Sequence, residues 1–344
     1  MRTPPTIREL PPPPPGRTGW PWTEAPLPLP ETMPGGAPWP RITVVTPSFN
    51  QAQFLEETIR SVLLQGYPNL EYMVIDGGST DGSAAIIERY APWLSFWVSE
   101  RDRGQAHAIN KGFDRATGDL VGWINSDDLL LPGALARVAA AHHTAPDALI
   151  LGDVNEIDER GQLRCHYRQA NVSFATLFRT WERACIWSQP GTFVPLALHR
   201  AVGPLDERLR FVFDLDWMLR LLLCAPVRYL HVPIASFRLH GGSKTVGEVV
   251  CWFPEYPRVF HRFADHIPGQ DRWLARAELE LWGAIIPLSI AYRDWRRGVT
   301  MLLRSLSYDV RILRSRRFYT LAVAALLPLP ALRVARDLLG VRNV

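Results

Sequence analysis

Short apolar runs alternate with amphipathic segments through the middle of the chain, and each apolar run stops at a polar turn. Apolar runs of four to eight residues bounded by turn residues predict buried strands, whereas apolar positions three and four apart predict helices. The predicted strands are Ile42–Thr46, Leu70–Ile75, Phe96–Ser99 and Val121–Ile124. The predicted helices are one carrying the apolar positions Phe54 to Leu63, then Ala84–Tyr90 and residues 105–117. Strands alternating with helices predict an α/β fold, with a doubly wound, mostly parallel sheet and helices on both faces.

The segments before and after this alternating pattern have different compositions. Residues 1–40 are rich in proline, including Pro11 to Pro15, and such a segment predicts a disordered or polyproline tail. Residues 246–344 predict an α-helical C-terminal extension. Its predicted helices are Trp273–Trp282, Ile285–Trp295 and Val299–Leu313. We therefore expect a tail over 1–40, an α/β domain over 41–245 and a helical region over 246–344.

Charge is distributed unevenly along the 344 residues, although the net charge is only +4. Residues 246–344 contain 15 Arg, no Lys and 9 acidic residues, a net charge of +6, so residues 1–245 carry −2. Arginines beside Trp, Tyr and Leu suit an interfacial helix on an anionic membrane. A basic helical cap that merely packs on the α/β domain is an equal alternative. Nucleic acid is a rival partner for an Arg-rich face, and we expect none here.

The cysteines and the hydropathy indicate a compartment. Four cysteines, Cys165, Cys185, Cys224 and Cys251, lie far apart and form no C-x-x-C pair, which predicts reduced thiols and a cytoplasmic location. No signal-peptide pattern is visible. No apolar stretch reaches the ~18–20 residues needed to span a bilayer. We expect a cytoplasmic protein that can associate peripherally with the inner face of a membrane.

The strand Val121–Ile124 ends in Asn125-Ser126-Asp127-Asp128. Open α/β sheets bind ligands beyond the carboxyl ends of their strands, and adjacent carboxylates there favour a divalent cation. The alternative is that Asp127 or Asp128 caps a helix over Pro132–Ala141.

Three predicted strand ends converge on one crevice: Thr46–Asn50, Asp76–Asp81 and Asn125–Asp128. A carboxylate such as Asp76 can accept a ribose hydroxyl or a base N–H there, or it can simply cap the following turn. Neither standard glycine-rich phosphate loop occurs. A phosphate ligand would then need a metal, which favours a metal-binding role for Asp127.

Several short motifs in these segments resemble the family 2 glycosyltransferases, which have a GT-A fold. The resemblance covers residues 41 to about 245. Its motifs are Thr46-Pro47-Ser48-Phe49-Asn50, Val74 to Gly82, Ser99 to Gly104, Ala108 to Gly112, Ala116 to Asp119 and Asn125 to Asp128. Farther along, Ser188 to Phe193, Val202 to Glu207 and Phe237 to Thr245 also look like the family.

The resemblance implies a nucleotide-sugar donor, with UDP the commonest choice. The residues that would bind the nucleotide are Thr46, Pro47, Phe49, Asn50, Asp76, Asp102, Asn110, Lys111 and Asn125. Among them, Pro47 and Phe49 would line the nucleobase pocket and Asp76 would bind the base. Lys111 suits diphosphate oxygens, and the alternative, which we favour less, is a solvated helix charge.

The motif Asn125-Ser126-Asp127 matches the family's D-x-D motif, with Asn in the first place. Asp127 therefore resembles the ligand of a Mn²⁺ or Mg²⁺ ion that holds the donor diphosphate, with Asp128 beside it. One carboxylate plus substrate phosphates is enough for such an ion. Gln189, His240 and Lys244 would act on the acceptor and diphosphate side, although a lone His is more often structural.

The catalytic base implied by the family spacing is Asp214, and Asp216 is its rival. An inverting transfer needs one carboxylate to deprotonate the acceptor hydroxyl. The flanking Phe211, Phe213 and Trp217 would raise its pKa. The structural alternative, stronger for Asp216, is an N-cap of the following helix.

We therefore expect a metal-dependent, inverting glycosyltransferase that moves one sugar to a glycan or lipid-linked acceptor. A non-catalytic nucleotide-sugar binding module is one alternative. An actin-like ATPase or sugar kinase is another, because Asp76-Gly77-Gly78-Ser79-Thr80 imitates its phosphate loop; there the loop follows the first strand and opens a β-hairpin.

Overall fold

The computed structural model describes residues 4–26, 29–178, 187–244, 252, 254–284 and 294–326. The chain divides into two compact units. The first comprises residues 1–177 and 185–240, and the second comprises 178–184 and 241–344.

The first unit is built on one nine-stranded sheet. Its strands are β1 (Ile42–Ser48), β2 (Leu70–Asp76), β3 (Phe96–Ser99), β4 (Leu120–Trp123), β5 (Leu129–Leu130), β6 (Leu149–Ile157), β7 (Leu163–Tyr167), β8 (Thr192–Pro195) and β9 (Val227–Arg238). The order is β3-β2-β1-β4-β8-β6-β9-β5, with β7 paired to β6. The strands β3, β2, β1 and β4 are parallel, whereas β8 is antiparallel to β4 and β6. The sheet is therefore mixed, with the predicted parallel half at its N-terminal side.

Helices cover both faces of this sheet. In the first unit they are α1 (Ala52–Leu63), α2 (Ser83–Tyr90), α3 (Gln105–Arg115), α4 (Ala134–Thr144), α5 (Phe174–Phe178, whose last residue belongs to the second unit), α6 (Leu196–Val202) and α7 (Phe213–Leu222). Val44 of β1 packs in one core cluster with Leu55 and Ile59 of α1. The next residue, Val45, faces α3, where a Cβ on Gly112 would lie 2.6 Å from its methyl carbons. Because successive side chains of a strand point to opposite faces of the sheet, α1 packs on one face and α3 on the other.

The described part of the proline-rich segment packs against the rest of the first unit, which differs from the expected disordered tail. Leu10, Met33 and Trp39 belong to the main core cluster. Trp20 Nε1 also donates to the carbonyl of Leu130 at 2.9 Å. Large apolar side chains between the prolines supply the burial that a proline-rich composition by itself would lack.

The second unit is helical in its described part, as expected. Its further helices are α8 (Tyr256–Phe263), α9 (Gly269–Gly283), α10 (Trp295–Tyr308) and α11 (Arg316–Leu326). The helix predicted over Ile285–Trp295 lies almost wholly outside the described residues. Within the described ranges no helix has the length and apolar character to cross a membrane. Cys165 and Cys224 are free thiols, whereas Cys185 and Cys251 lie outside the described residues.

Candidate active site

The parallel strands place their polar ends at one edge of the sheet. Ser48 pairs with Asp76 in register, and Asp76 pairs with Ser99. The chain after β4 joins the same edge, because Ile124 N donates to the carbonyl of Val45 at 3.0 Å. The convergence predicted for the three strand ends is therefore present in the structure.

Asp76 is fully buried at this edge. Its carboxylate accepts the backbone N–H groups of Gly78 and Ser79 at 3.1 and 2.9 Å. It also accepts the hydroxyls of Ser79 and Ser99 at 2.6 and 2.7 Å. The side chain thus holds the glycine-rich turn, as the turn-capping alternative predicts, and exposes no surface to a nucleobase.

The exposed wall of the edge is formed by the residues that follow β1. Phe49 is 61% exposed, which is unusual for a large apolar side chain beside a buried strand. Asn50 has a φ of 52° and its Oδ1 accepts Thr80 N at 2.9 Å. Thr46 and Pro47 lie buried within the strand, where Thr46 Oγ1 meets the Tyr72 hydroxyl at 2.9 Å. Of these four residues, only Phe49 and Asn50 are exposed to a ligand.

Asp102 lies directly over the turn that Asp76 holds. A Cβ on Gly77 would lie 2.7 Å from Asp102 Oδ2, so the absence of a side chain at Gly77 lets the Asp102 carboxylate approach the turn closely. Asp102 Oδ1 accepts Gly104 N at 2.8 Å. The carboxylate is partly exposed and is therefore better placed than Asp76 to meet a nucleoside.

Asn110 and Lys111 have structural partners. Asn110 is buried and exchanges two hydrogen bonds of 3.0 Å with the backbone of Leu205. Its Nδ2 also donates to Glu207 Oε1 at 3.0 Å. Lys111 Nζ pairs with Glu100 Oε1 at 2.8 Å, and this contact lowers the pKa of Glu100. Asn110 therefore fixes the loop before α7, and Lys111 belongs to a helix-surface ion pair.

The two adjacent aspartates after β4 have different surroundings. Asp128 is fully buried and accepts Arg238 N at 2.9 Å and Asn125 Nδ2 at 3.0 Å. Burial raises the pKa of Asp128 well above its usual range, and the neighbouring Asp127 carboxylate adds to the rise. Neither aspartate caps the next helix, because α4 begins at Ala134 with Gly133 as its N-cap.

Asp127 is partly exposed and its Oδ2 lies 3.0 Å from His240 Nε2. His240 is buried, with its ring 4.6 Å from the ring of Phe54. In the described part of the chain, no group of three or more His, Cys, Asp or Glu side chains is arranged to hold a metal ion. The Asp127 carboxylate and the His240 imidazole are adjacent, and both are side chains that can bind a divalent metal ion, whose remaining ligands would be phosphate oxygens and water. Asp127 and His240 fit such an ion. Asp128 does not, because its two carboxylate oxygens already accept hydrogen bonds from Arg238 N and Asn125 Nδ2.

Arg238 is a site residue that the sequence analysis missed. It is 1% exposed, and its Nε donates to the carbonyl of Asp127 at 2.9 Å. Its Nη2 pairs with Glu57 at 2.9 Å, and its guanidinium lies 4.8 Å from the Phe54 ring centre. The signal available was an arginine inside the otherwise apolar end of a strand, where a buried charge needs a partner.

Asp214 and Asp216 both lie in the first turn of α7. Asp216 is fully buried, and its Oδ2 accepts Arg220 Nε at 3.1 Å. Arg220 in turn donates to the carbonyls of Val202, Gly203 and Pro204. The N-cap of α7 is Val212, so Asp216 does not cap the helix as the alternative predicted. Asp214 is partly exposed.

Aromatic packing connects α7 to the end of β4. The rings of Phe213 and Trp217 lie 6.5 and 5.1 Å from the ring of Trp123. Gln189 Nε2 donates to the carbonyl of Trp123 at 2.9 Å, while its buried Oε1 has no donor among the described residues. The start of α7 and the acidic residues after β4 therefore share one region of the first unit. Lys244 belongs to the second unit.

Comparisons with known proteins show sequence similarity to glycosyltransferases. Residues 43–189 match the model of glycosyl transferase family 2. A PGL/p-HBAD biosynthesis glycosyltransferase of Mycobacterium bovis is 29% identical over 276 residues, covering 75% of this chain and 98% of that protein. An uncharacterised glycosyltransferase of Rickettsia typhi is 22% identical over 67% of this chain and 74% of that protein.

Solved structures show the same fold. The structure of S. aureus TarS 1-349 in complex with UDP-GlcNAc has a TM-score of 0.61 at 15% identity, over 83% of this chain and 88% of that one. A longer S. aureus TarS structure has a TM-score of 0.58 at 17% identity, over 86% of this chain, which spans about half (53%) of that one. The chain is similar to glycosyl transferase family 2 over residues 43–189, and its fold is that of the GT-A glycosyltransferases.

Proposed function

We propose that the protein transfers a single sugar, with inversion, from a nucleotide-diphosphate sugar to a hydroxyl acceptor. The observation that carries this proposal is the pair formed by Asp127 and His240 at 3.0 Å, at the carboxyl edge of the parallel strands. The partly exposed Asp214 is joined to that edge through Phe213 and Trp123. A phosphate-holding group and a base in one region are what such a transfer requires.

The donor would bind along the edge from Phe49 to Asp127. The exposed Phe49 ring offers a stacking surface for the base, and Asp102 offers a carboxylate for base or ribose donors. UDP is the first choice, and the complex of TarS with UDP-GlcNAc supports it. In this assignment Asp76 and Asn110 shape the site without contacting the nucleotide.

Asp127 and His240 would hold Mn²⁺ or Mg²⁺ against the diphosphate. The ion would offset the charge of the leaving nucleoside diphosphate. Arg238 Nε donates to the backbone carbonyl of Asp127. This hydrogen bond holds the backbone that carries the Asp127 carboxylate.

Asp214 would take the proton of the acceptor hydroxyl as that oxygen attacks the anomeric carbon. The bond to the nucleoside diphosphate breaks at the same carbon, and the diphosphate leaves with the bonding electron pair. Asp216 is unsuited to this role because it is buried against Arg220.

For the acceptor, we propose a glycan or lipid-linked glycan precursor. The name of the M. bovis relative, which refers to PGL/p-HBAD biosynthesis, supports a small glycoconjugate acceptor. The Arg-rich helices would bring the protein to an anionic membrane surface. The kinase-like alternative loses support, because Asp76 ends a strand parallel to β1 and is followed by the helix α2.

A panel of nucleotide sugars with Mn²⁺, scored by nucleoside diphosphate release and by thermal protection, tests the proposal. Asp127→Asn should abolish turnover and weaken donor protection, whereas Asp114→Asn on exposed helix surface should leave both unchanged. Full activity in EDTA would overturn the metal assignment. Donor protection without any release across the panel and acceptors would favour the non-catalytic binding module.

A further inference from the structure

A cavity of about 460 Å³ lies between helices of the second unit. Two matching helix faces line it. One face, from α9, includes Arg276 and Leu279, and the other, from α10, includes Arg297, Met301 and Arg304. Spacings of three, four and seven residues place each set on one side of its helix. The cavity therefore combines three guanidinium groups with an apolar wall.

Arg276 is buried, with only 7% of its surface exposed. Its Nη2 pairs with Glu280 at 2.7 Å, and its guanidinium lies 5.5 and 5.1 Å from the ring centres of Phe260 and Tyr308. Its Nε and Nη1 are buried without an acceptor in the described structure. Leaving buried donors of a charged group unsatisfied costs free energy. Because these two donors of Arg276 have no acceptor among the described residues, this side of the cavity lacks a negatively charged partner for them.

The other two arginines add positive charge without compensation. Arg297 and Arg304 are exposed, and neither guanidinium has a carboxylate within ion-pair distance in the described part of the chain. Thr300, between them on the same face, also lines the cavity and supplies a hydroxyl. Glu280 is the acidic residue on the lining and is already paired to Arg276. The cavity is thus net cationic.

We propose that this cavity binds a phosphate group carried on a molecule with an apolar portion. Guanidinium groups present planar pairs of donors that match phosphate oxygens, and Thr300 adds a further donor. Leu279 and Met301 provide the surface for the apolar portion. The phosphate can belong to a lipid headgroup or to a soluble phosphorylated compound. The site lies wholly in the second unit and does not depend on the proposed transferase function.

The test uses the full chain and measures inorganic phosphate binding by titration calorimetry. Arg297→Gln and Arg304→Gln should each weaken phosphate binding about tenfold or more, because each removes a charge-assisted donor pair. Arg314→Gln is the matched control, since this exposed arginine of the same unit does not line the cavity. Unchanged melting temperatures establish that the variants fold.

A second arm measures co-sedimentation with phosphatidylcholine vesicles containing phosphatidic acid. If the two cavity variants weaken this binding more than Arg314→Gln does, the source is a lipid headgroup. If only the calorimetric arm separates them from Arg314→Gln, the source is a soluble phosphate compound. Equal effects of all three variants in both arms would overturn the proposal and leave only diffuse charge attraction.

Discussion

The first unit contains two pairs of neighbouring aspartates, and in each pair one side chain is buried and the other is partly exposed. Asp128 and Asp216 are fully buried and bonded to other parts of the fold. Asp127 and Asp214 are partly exposed in the region where a donor and an acceptor would meet. A buried carboxylate with hydrogen bonds stabilises structure, whereas an accessible carboxylate can take part in chemistry.

The first prediction separates Asp214 from Asp216. Asp214→Asn should reduce turnover by ~10²–10⁴ and leave donor protection and melting nearly unchanged, since it removes only a general base. Asp216→Asn should lower the free energy of unfolding by about 2–4 kcal/mol, because Arg220 would lose its buried charge partner. Initial rates and melting curves of both variants measure this. The opposite pattern would move the catalytic role to Asp216.

A second prediction concerns acid stability and His199. Burial, together with Arg220 and Arg200, lowers the pKa of His199 from 6.5 to about 4. Its Nδ1 accepts Trp217 Nε1 at 3.1 Å. Between pH 6.5 and 4 the unfolded chain binds a proton at this histidine that the folded chain does not, so stability falls as the pH falls. The loss amounts to at most about 3 kcal/mol.

His199→Gln should remove most of that acid sensitivity while costing some stability at pH 7. The measurement is urea unfolding at pH 7 and pH 5. His143→Gln, at an exposed position on α4, should keep the wild-type difference. An unchanged difference in the His199 variant would show that other groups cause the acid sensitivity.

At the scale of elements, periodicity predicted the parallel half of the sheet. The predicted strands at 42–46, 70–75, 96–99 and 121–124 overlap β1 to β4, and the three following helices are also present. The strands β5 to β9 were not predicted. The reason for β5 is its length of two residues, which is too short to show a period, and β7 is almost entirely exposed.

Residue types alone could not separate ligand-binding from structural polar groups in the site. Asp76 and Asn110 match the family's motifs, yet both are held by partners distant in sequence, such as Ser99 and Leu205. Those partners become visible only after the loops are folded. The packing of residues 4–26 and 29–40 likewise depends on partners distant in sequence, among them Arg60.

Arg60 holds the proline-rich segment against α1, which gives a third prediction. Its fully buried guanidinium donates to the carbonyls of Pro11, Pro21 and Trp22 at 2.7–3.1 Å. Arg60→Met keeps the apolar stem but leaves these carbonyls without a donor, at about 1–3 kcal/mol for each one that stays buried. We therefore expect the segment to detach more often.

Limited trypsin digestion measures this detachment through cleavage after Arg8 and Arg17. Cleavage there should be faster in Arg60→Met. Arg89→Met is the control, because Arg89 is half-exposed and its 3.1 Å pair with Glu56 contributes little. Equal cleavage rates in wild type and Arg60→Met would mean that apolar burial alone holds the segment.

For the whole molecule, charge separates two regions that the net value of +4 conceals. Residues 1–245 carry −2 and residues 246–344 carry +6. The net negative charge belongs to the region with the GT-A fold, and the net positive charge belongs to the helical region. A chain of this kind can present its basic region to an anionic surface without drawing its acidic region to it.

The last prediction follows from this separation. The full chain should co-sediment with vesicles containing anionic lipid and not with neutral vesicles. Each arginine near such a surface contributes about 1 kcal/mol, so reversing both Arg316 and Arg317 to Glu should weaken binding more than tenfold. Salt should weaken it as well, because the screening length falls from about 10 Å at 0.1 M to about 3 Å at 1 M. The control reverses Arg160 and Arg168, two exposed arginines of the first unit, and should change binding far less. Binding that resists salt, or an equal loss in both double variants, would show that the basic helical region is not what meets the membrane.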